Sequence, residues 1–537
     1  SVPKLRAFLN NYLPSYMVPL YYSQLSNFAY TPNGKIDRKK LPEPVFNTSS
    51  KELVVPSTET EKKLSEIFEK LLRISPISVD DNFFEIGGDS LLALKLQIEI
   101  LKLGVSIPFA DLYKYNSVRQ LATHIDSLNS STNIAKTLDA DDFKDIDTLL
   151  NADMQNVAIS NTVVNIGNVL LSGATGFLGA HILSYIIDNS PFSVYCLIRQ
   201  NSSSDTTQKL LNRLNYYFGN KYDALINKRI FVVTADIVKN KLDIDKNTEE
   251  LLNKNISCVI NSAANVKHYG SYETFEDINV TGVKNLVDFC NTYHKKFVQI
   301  STISVSGNSL FDLGNDKNNF AEDRYFSENN LYIGQSLENV YIRSKFFAEK
   351  LILDNVINNN LDALILRVGN ITNRSYDGKF QPNAEENAFS NRIKAFLELG
   401  VIPDYLKDIY VEFSPVDDVA RAVVQSIEHI NNLHVLHIYN HNHIYLSDLI
   451  NMIPNNRVQF ISGAEFKNIL DEKLNNEKDQ YSLSFLVNDL NDSKVITYNS
   501  SIKIKNDFSK KLLNTIGFKW SNIDNQYIYN LLKNLEV

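Results

Sequence analysis

Residues 169–199 read VLLSGATGFLGAHILSYIIDNSPFSVYCLIR. The apolar run Val169-Leu170-Leu171 breaks into Gly173-x-x-Gly176-x-x-Gly179, and apolar residues then recur at helical spacing from Ala180 to Ile187. A second β-rich run, Ser193 to Ile198, follows. Strand, tight turn, helix and strand in this order are the opening of a dinucleotide-binding βαβ unit. Side chains at the glycines would keep a pyrophosphate away from the backbone N–H groups at the positive end of the helix. Roughly 20 residues on, where an NAD-binding chain carries Asp or Glu, this one carries Arg199. A cation there suits a 2′-phosphate, so the expected cofactor is NADPH. The stretch contributes Gly173, Thr175, Gly176, Phe177, Leu178, Gly179 and Arg199 as candidate cofactor-binding residues.

Downstream, β-rich runs end in small or polar residues: Ile230–Ala235 at Asp236-Ile237, Cys258–Ile260 at Asn261-Ser262-Ala263-Ala264, and Val298–Ile300 at Ser301-Thr302. Ligands of doubly wound sheets collect at the carboxyl ends of strands, which adds Asp236, Ile237, Ala263 and Ala264 to the cofactor candidates. Tyr341-Ile342-Arg343-Ser344-Lys345 opens a helical run, and i, i+4 spacing sets the phenol and the ammonium on one helix face. An ammonium beside a phenol lowers its pKa, so that the pair can give and take a proton.

Upstream, Pro42 to Pro56 has linker composition, and Glu59 to Leu72 carries a helical stripe of Leu64, Ile67, Phe68, Leu71 and Leu72, with Ser57 and Thr58 as cap candidates. In DNFFEIGGDSLLALKLQIEI, Gly87-Gly88-Asp89 turns into a helix with apolar positions Leu91, Leu92, Leu94, Ile98 and Leu101, which sets Ser90 at a helix N-terminus. Residues 127–163 are rich in Ser, Thr, Asn and Asp and read as a tether, although Ile146 to Leu150 could dock.

At 537 residues more than one domain is expected. A net charge of -8, from 54 Lys+Arg against 62 Asp+Glu, argues against nucleic acid as the main partner. No apolar run spans a bilayer and no signal peptide is seen, so the expected location is cytoplasmic and off the membrane. Cys196, Cys258 and Cys290 sit in apolar runs and read as reduced core residues. His437, His441 and His443 alternate in HIYNHNH without a carboxylate or Cys pattern, so no metal is expected. The chain starts at Ser1 in mid-pattern and is expected to be a piece of a longer protein.

LPSYMVP and TPNGKIDRKKLP (residues 1–45) resemble the end of a nonribosomal peptide synthetase adenylation domain, with Lys35 at its acyl-adenylate lysine. Residues 55–128 resemble a peptidyl carrier domain, which implies a small four-helix fold and 4′-phosphopantetheine on Ser90, attached by a phosphopantetheinyl transferase. SGATGFLGAH, NSAANVKHYG, ISTISV, YIRSKFFAE, RVGNITNRSYDGKFQPNAEENAF and FSPVDDVARAVV together resemble the terminal thioester reductase of such synthetases, an extended short-chain dehydrogenase/reductase, and also the α-aminoadipate and carboxylic acid reductases. By this resemblance residues 129–162 are a linker and 163–537 the reductase. The implied fold is a Rossmann-type doubly wound parallel α/β sheet, mainly NADPH-binding over 163–370, with a smaller substrate domain over 371–537. The triad would be Thr302, Tyr341 and Lys345, with Ser301 as the competing serine/threonine position; Lys345 also contacts the nicotinamide ribose. Arg199 and Arg213 would hold the 2′-phosphate and Asn370 would lie on the substrate side. Asn279 matches the family's helix-start asparagine, but a plain helix residue explains it equally well. The implied reaction is NADPH-dependent release of an acyl or peptidyl thioester, delivered by upstream synthetase domains, as an aldehyde or, after a second reduction, an alcohol. Alternatives are an aminoadipate or carboxylic acid reductase fragment, a nucleotide-sugar epimerase or dehydratase, and a redox-neutral release domain.

Overall fold

The structure, a computed structural model, describes residues 53–534 except 89, 102–104, 106, 108–110, 113–114, 136–137, 161–164, 201–204, 267–274, 308–324, 338, 383–387, 454–457 and 475–501. Residues 1–45, with Lys35, lie outside it. The chain divides into two compact units, one of residues 1–131 with 472–494 and the other of residues 132–471 with 495–537.

In the first unit, helix α1 (Glu59–Leu72) starts as its composition dictates. The Thr58 side chain accepts from the Glu61 N–H, and the Glu61 carboxylate reaches back to the N–H groups of Thr58 and Ser57, a reciprocal cap. Helix α2 (Ser90–Leu101) follows the glycine pair, and α3 runs from Val118 to Ala135. Leu64, Phe68, Phe83, Leu96, Ile100 and Leu121 are buried together, with the Phe68 and Phe83 rings edge to face at 4.9 Å. A fourth helix is not delimited among the described residues, where only Asp111 and Leu112 are helical between α2 and α3.

The second unit is built on seven strands that are parallel throughout. They are β2 (Val169–Ser172), β3 (Val194–Ile198), β4 (Ile230–Thr234), β5 (Cys258–Asn261), β6 (Lys296–Thr302), β7 (Ala363–Val368) and β9 (Val435–Ile438), in the order β9-β7-β6-β5-β2-β3-β4. Their apolar runs are continuous because both faces are covered. Val169, Leu171, Ile260, Val298 and Leu366 enter one core, and the alternate residues Leu170, Val259, Phe297 and Ile365 enter the other. The helices α5 (Phe177–Asn189), α6 (Thr206–Phe218) and α10 (Val416–His429) contribute to the first core; α8 (Gly282–Tyr293) and α9 (Val340–Asn359) contribute to the second. From β2 the chain winds to β4 at one edge, then returns to β5 and winds the other way, so the order reverses between β2 and β5.

Two expectations about boundaries need correction. The stretch 129–162 is not a free linker: it contains α4 (Lys144–Asn156) and strand β1 (Ala158–Ile159), which pairs antiparallel with β8 (Ile430–Asn431). Phe143, Ile146 and Leu150 are buried in the second core, and Asp153 accepts from the His434 backbone N–H at 3.0 Å and pairs with its ring at 2.9 Å. Ile146 to Leu150 dock, as their apolar character allows, and Phe143 joins them. Likewise the chain after 370 does not only build a substrate domain, since it returns α10 and β9 to the sheet. A parallel edge strand needs a covering helix, and both come from sequence far beyond the cofactor motif.

Cys196, Cys258 and Cys290 are buried and unpaired, as expected, and burial pushes the Cys258 thiol up to about 12. Among the described residues no helix is long and apolar enough to cross a membrane.

Candidate active site

The order reversal between β2 and β5 leaves a crevice at the carboxyl ends of the strands. Gly173 stands there with φ +76°, and a Cβ on it would come within 2.6 Å of the Ala263 backbone nitrogen. A Cβ on Gly179 would lie 2.1 Å from the Gly173 carbonyl oxygen. Helix α5 begins at Phe177 with Gly176 as its cap and no capping side chain, so its first N–H groups face outward for a ligand. Thr175, Phe177 and Leu178 belong to this turn; Ala263 and Ala264 follow β5, and Asp236 and Ile237 follow β4. Strand ends are held level by polar side chains in register, Ser172 to Asn261 and Asn261 to Gln299 at 2.9 Å.

Arg199, just after β3, and Arg213 on α6 both act on Lys209, which burial and then the repulsion of Arg199 and Arg213 hold below the usual lysine range. The Lys209 ammonium also donates to the Arg199 carbonyl at 3.4 Å. Among the described residues none of the three cations has an ion-pair partner. A cation cluster without a counter-anion suits a doubly charged phosphate. Lys209 escaped the sequence reading, although its i, i+4 relation to Arg213 was a usable signal.

The catalytic candidates meet at the next strand. Thr302 is the last residue of β6 and Tyr341 the second residue of α9, where the Asn339 side chain accepts from the Tyr341 and Ile342 N–H groups at 3.0 and 3.1 Å. Tyr341 is 9% exposed. Burial pushes its phenol up to about 12, against the lowering effect of the neighbouring Thr302 side chain. The expected lowering of the phenol by Lys345 is therefore not realised: desolvation outweighs it, and Lys345 is not among the groups that act on the phenol. Lys345, 3% exposed, donates to the Ile300 carbonyl at 2.9 Å, and burial brings its ammonium down to about 8. Ser301 points elsewhere and donates to Glu349 at 2.5 Å.

Asn279 is buried in a π-helical turn, Asp277–Thr281, ahead of α8. Its amide accepts from the Asn265 N–H at 2.8 Å and donates to the Ser344 hydroxyl at 2.9 Å, stapling the loop after β5 to α9. Asn370, just beyond β7, donates to the Glu412 carbonyl at 3.2 Å, and its N–H binds the Glu412 carboxylate, which burial pushes up to about 7. Ser90 opens α2 after Gly87, at φ +112°, and Gly88, where a Cβ would strike the Phe83 ring at 2.3 Å. The Ser90 side chain lies outside the described residues. His437 is committed to the core, stacked on Phe326 and bonded to the Lys505 carbonyl at 3.2 Å.

Residues 62–125 match the family described as phosphopantetheine attachment site, and 171–423 match the NAD-binding family described as male sterility protein. A solved thiolation-reductase di-domain from an archaeal non-ribosomal peptide synthetase is 31% identical with a TM-score of 0.73, over 90% of this chain and 99% of that one. The chain belongs to the thiolation-reductase di-domains of nonribosomal peptide synthetases. The first unit holds its carrier and the second its reductase, an oxidoreductase domain with a nucleotide-binding Rossmann sheet. A linear gramicidin synthase of Brevibacillus parabrevis is 28% identical over 84% of the chain, and the L-2-aminoadipate reductase of Candida glabrata, in its large subunit, is 27% identical over 91%. The chain spans only 9% and 38% of these two relatives.

Proposed function

We propose that this di-domain releases an acyl or peptidyl group, carried as a thioester on 4′-phosphopantetheine at Ser90, by NADPH-dependent reduction to an aldehyde. The observation that carries the reading is the buried meeting of Thr302, at the end of β6, with Tyr341 and Lys345 on α9, one strand over from the glycine crevice. The residues present fit the cofactor: Gly173 and Gly179 leave room that a Cβ would fill, α5 offers uncapped N–H groups, and Arg199, Lys209 and Arg213 supply the charge for a 2′-phosphate. Bound there, NADPH supplies the hydride.

Tyr341 and Thr302 then act as donors to the oxyanion that develops on the thioester carbonyl, in a site that excludes water. A phenol held near 12 stays protonated at working pH, and it gives its proton to an oxyanion that is itself strongly basic. Lys345, still an ammonium below about 8, stands four residues on along the same helix and donates to the Ile300 carbonyl at 2.9 Å. Cleavage of the carbon–sulfur bond leaves the aldehyde and the free carrier thiol. Upstream synthetase domains would supply the acyl group and a phosphopantetheinyl transferase the arm.

The test is to phosphopantetheinylate the protein, load it with acyl groups and follow NADPH oxidation alongside the mass of the released product. One NADPH consumed per aldehyde is expected, with no arm and no turnover in Ser90→Ala. Release of a cyclised product without NADPH oxidation would replace this reading with redox-neutral release.

A further inference from the structure

Glu412 is an acid that the reaction above does not use. It stands at the carboxyl end of β7, where Val368 is level with Thr302 of β6 and Gly369 and Asn370 follow. Its Oε1 is held twice, by the Asn370 N–H at 3.0 Å and by the Ser414 hydroxyl at 2.6 Å. A Cβ on Gly369 would strike both that oxygen and the Cβ of Tyr439, so the glycine is what lets the two side chains close over the strand end. The other oxygen, Oε2, has no hydrogen bond and no ion pair among the described residues, and Glu412 stays partly exposed. Neighbouring strands lie about 4.8 Å apart. The carboxyl therefore stands one strand over and one residue beyond Thr302, at the end of the sheet where the triad meets.

A row of rings leads outward from this acid. Between ring centres, Tyr439 lies 6.5 Å from His443, His443 5.1 Å from Tyr410, and Tyr410 4.8 Å from Tyr445. The last two are stacked at 25°, with their hydroxyls 3.1 Å apart. The backbone sets the row: Tyr410–Val411 pairs antiparallel with Ile444–Tyr445, which buries Val411 and leaves Tyr410 and Tyr445 62% and 40% exposed. Ring faces attract cations, and a carboxylate set into protein without a counter-ion gains when a cation arrives. Burial has raised this carboxyl to about 7, so a cation on Oε2 would hold it ionised. Resting on the release reading above, we propose that Glu412 is a specificity-determining residue of the reductase, which takes a free ammonium group of the acyl chain, with the Tyr410, Tyr445, His443 and Tyr439 rings lining its approach. The substrate class is then a thioester of an aminoacyl group or of a chain with a basic side chain; an anionic or purely aliphatic chain gains nothing from this arrangement.

The test binds two unreactive probes to the full chain. One is L-lysyl-pantetheine amide, in which nitrogen replaces the thioester sulfur, and the other is the same amide acetylated on both lysyl nitrogens. Titration calorimetry is expected to show the ammonium probe about ten-fold tighter or more, the worth of a hydrogen bond to a charged group. Glu412→Gln, which keeps an acceptor for Asn370 and Ser414, is expected to bring the ratio close to one. Equal affinities in the wild type, or a ratio that survives Glu412→Gln, overturn the proposal. Where Glu412→Gln does not fold, Tyr410→Ala at the exposed end of the row is read instead, and the ratio is expected to fall about two- to five-fold; an unchanged ratio overturns the proposal equally. Turnover separates this inference from the release reading. If a carrier loaded with acetylated lysine is reduced by NADPH while the probes bind alike, the release reading stands and this one fails. If the preference is lost in Glu412→Gln but neither loaded carrier oxidises NADPH, the release reading fails and Glu412 remains the ammonium site.

Discussion

In the proposed reaction Tyr341 is the proton donor and Lys345 the buried cation: desolvation raises the phenol to about 12 and brings the ammonium down to about 8. Lys345 is charged below its folded pKa and loses that charge as pH rises through it. Thioester reduction is therefore expected to decline above about pH 8, with no second decline from Tyr341 until near 12; a flat kcat profile from about pH 7 to about 10 would contradict this. Tyr341→Phe keeps the ring's packing and is expected to lower kcat by about 10²- to 10⁴-fold with an unchanged melting curve. At the nucleotide end, Lys209→Ala is expected to weaken NADPH about ten-fold or more and leave NADH nearly untouched, since a hydrogen bond to a charged group is worth about 1.5–3 kcal/mol. Equal losses for both cofactors, measured by titration, would place Lys209 outside the phosphate site. Arg199 was legible because the dinucleotide motif sets its spacing, and Arg213 only through the family resemblance. Lys209 became visible only when α6 folded back toward the end of β3.

Among elements, the turn between β2 and α5 is the least forgiving. Gly179→Ala sets a Cβ 2.1 Å from the Gly173 carbonyl oxygen, which is backbone and cannot swing aside. Either the helix start moves off the strand or the crevice closes, so NADPH affinity is expected to fall by at least ten-fold with a lowered melting temperature. Gly219→Ala, where nothing stands within 4 Å, leaves the crevice intact and serves as a control for positive-φ strain alone. This element was read from sequence nearly residue for residue, because a strand, a glycine turn and a helix are set by neighbours along the chain. Helix α9 was legible for the same reason. The choice of Thr302 over Ser301 was made from sequence, but its reason was not legible there: Ser301 is taken up by Glu349, itself held by Arg367, and neither shares a local pattern with it.

On the scale of the molecule, the segment between carrier and reductase is where sequence and structure part most clearly. Residues 139–160 belong to the reductase: Asp139 caps the turn that leads into α4, and Phe143, Ile146 and Leu150 are buried. Removing a buried large apolar side chain costs about 2–5 kcal/mol. Ile146→Ala/Leu150→Ala in the full chain is therefore expected to lower the reductase melting transition by several degrees and leave phosphopantetheinylation of Ser90 unchanged. An unmoved reductase transition in a calorimetric scan would return the segment to the role of a tether.

The sequence by itself determined the Rossmann opening, the position of Ser90 at a helix start and the i, i+4 placement of Tyr341 and Lys345 on one helix. Each of these rests on spacing within a dozen or so residues, where strand and helix periods and turn chemistry act directly. Only the tertiary structure decided that 144–156 is a docked helix, that 416–438 completes the sheet, that Lys209 joins two arginines, and that Glu349 pairs with Arg367 in the core. Those outcomes depend on which surfaces are left to cover and which charges are left to pair once the sheet has closed, and neither is set by neighbours along the chain.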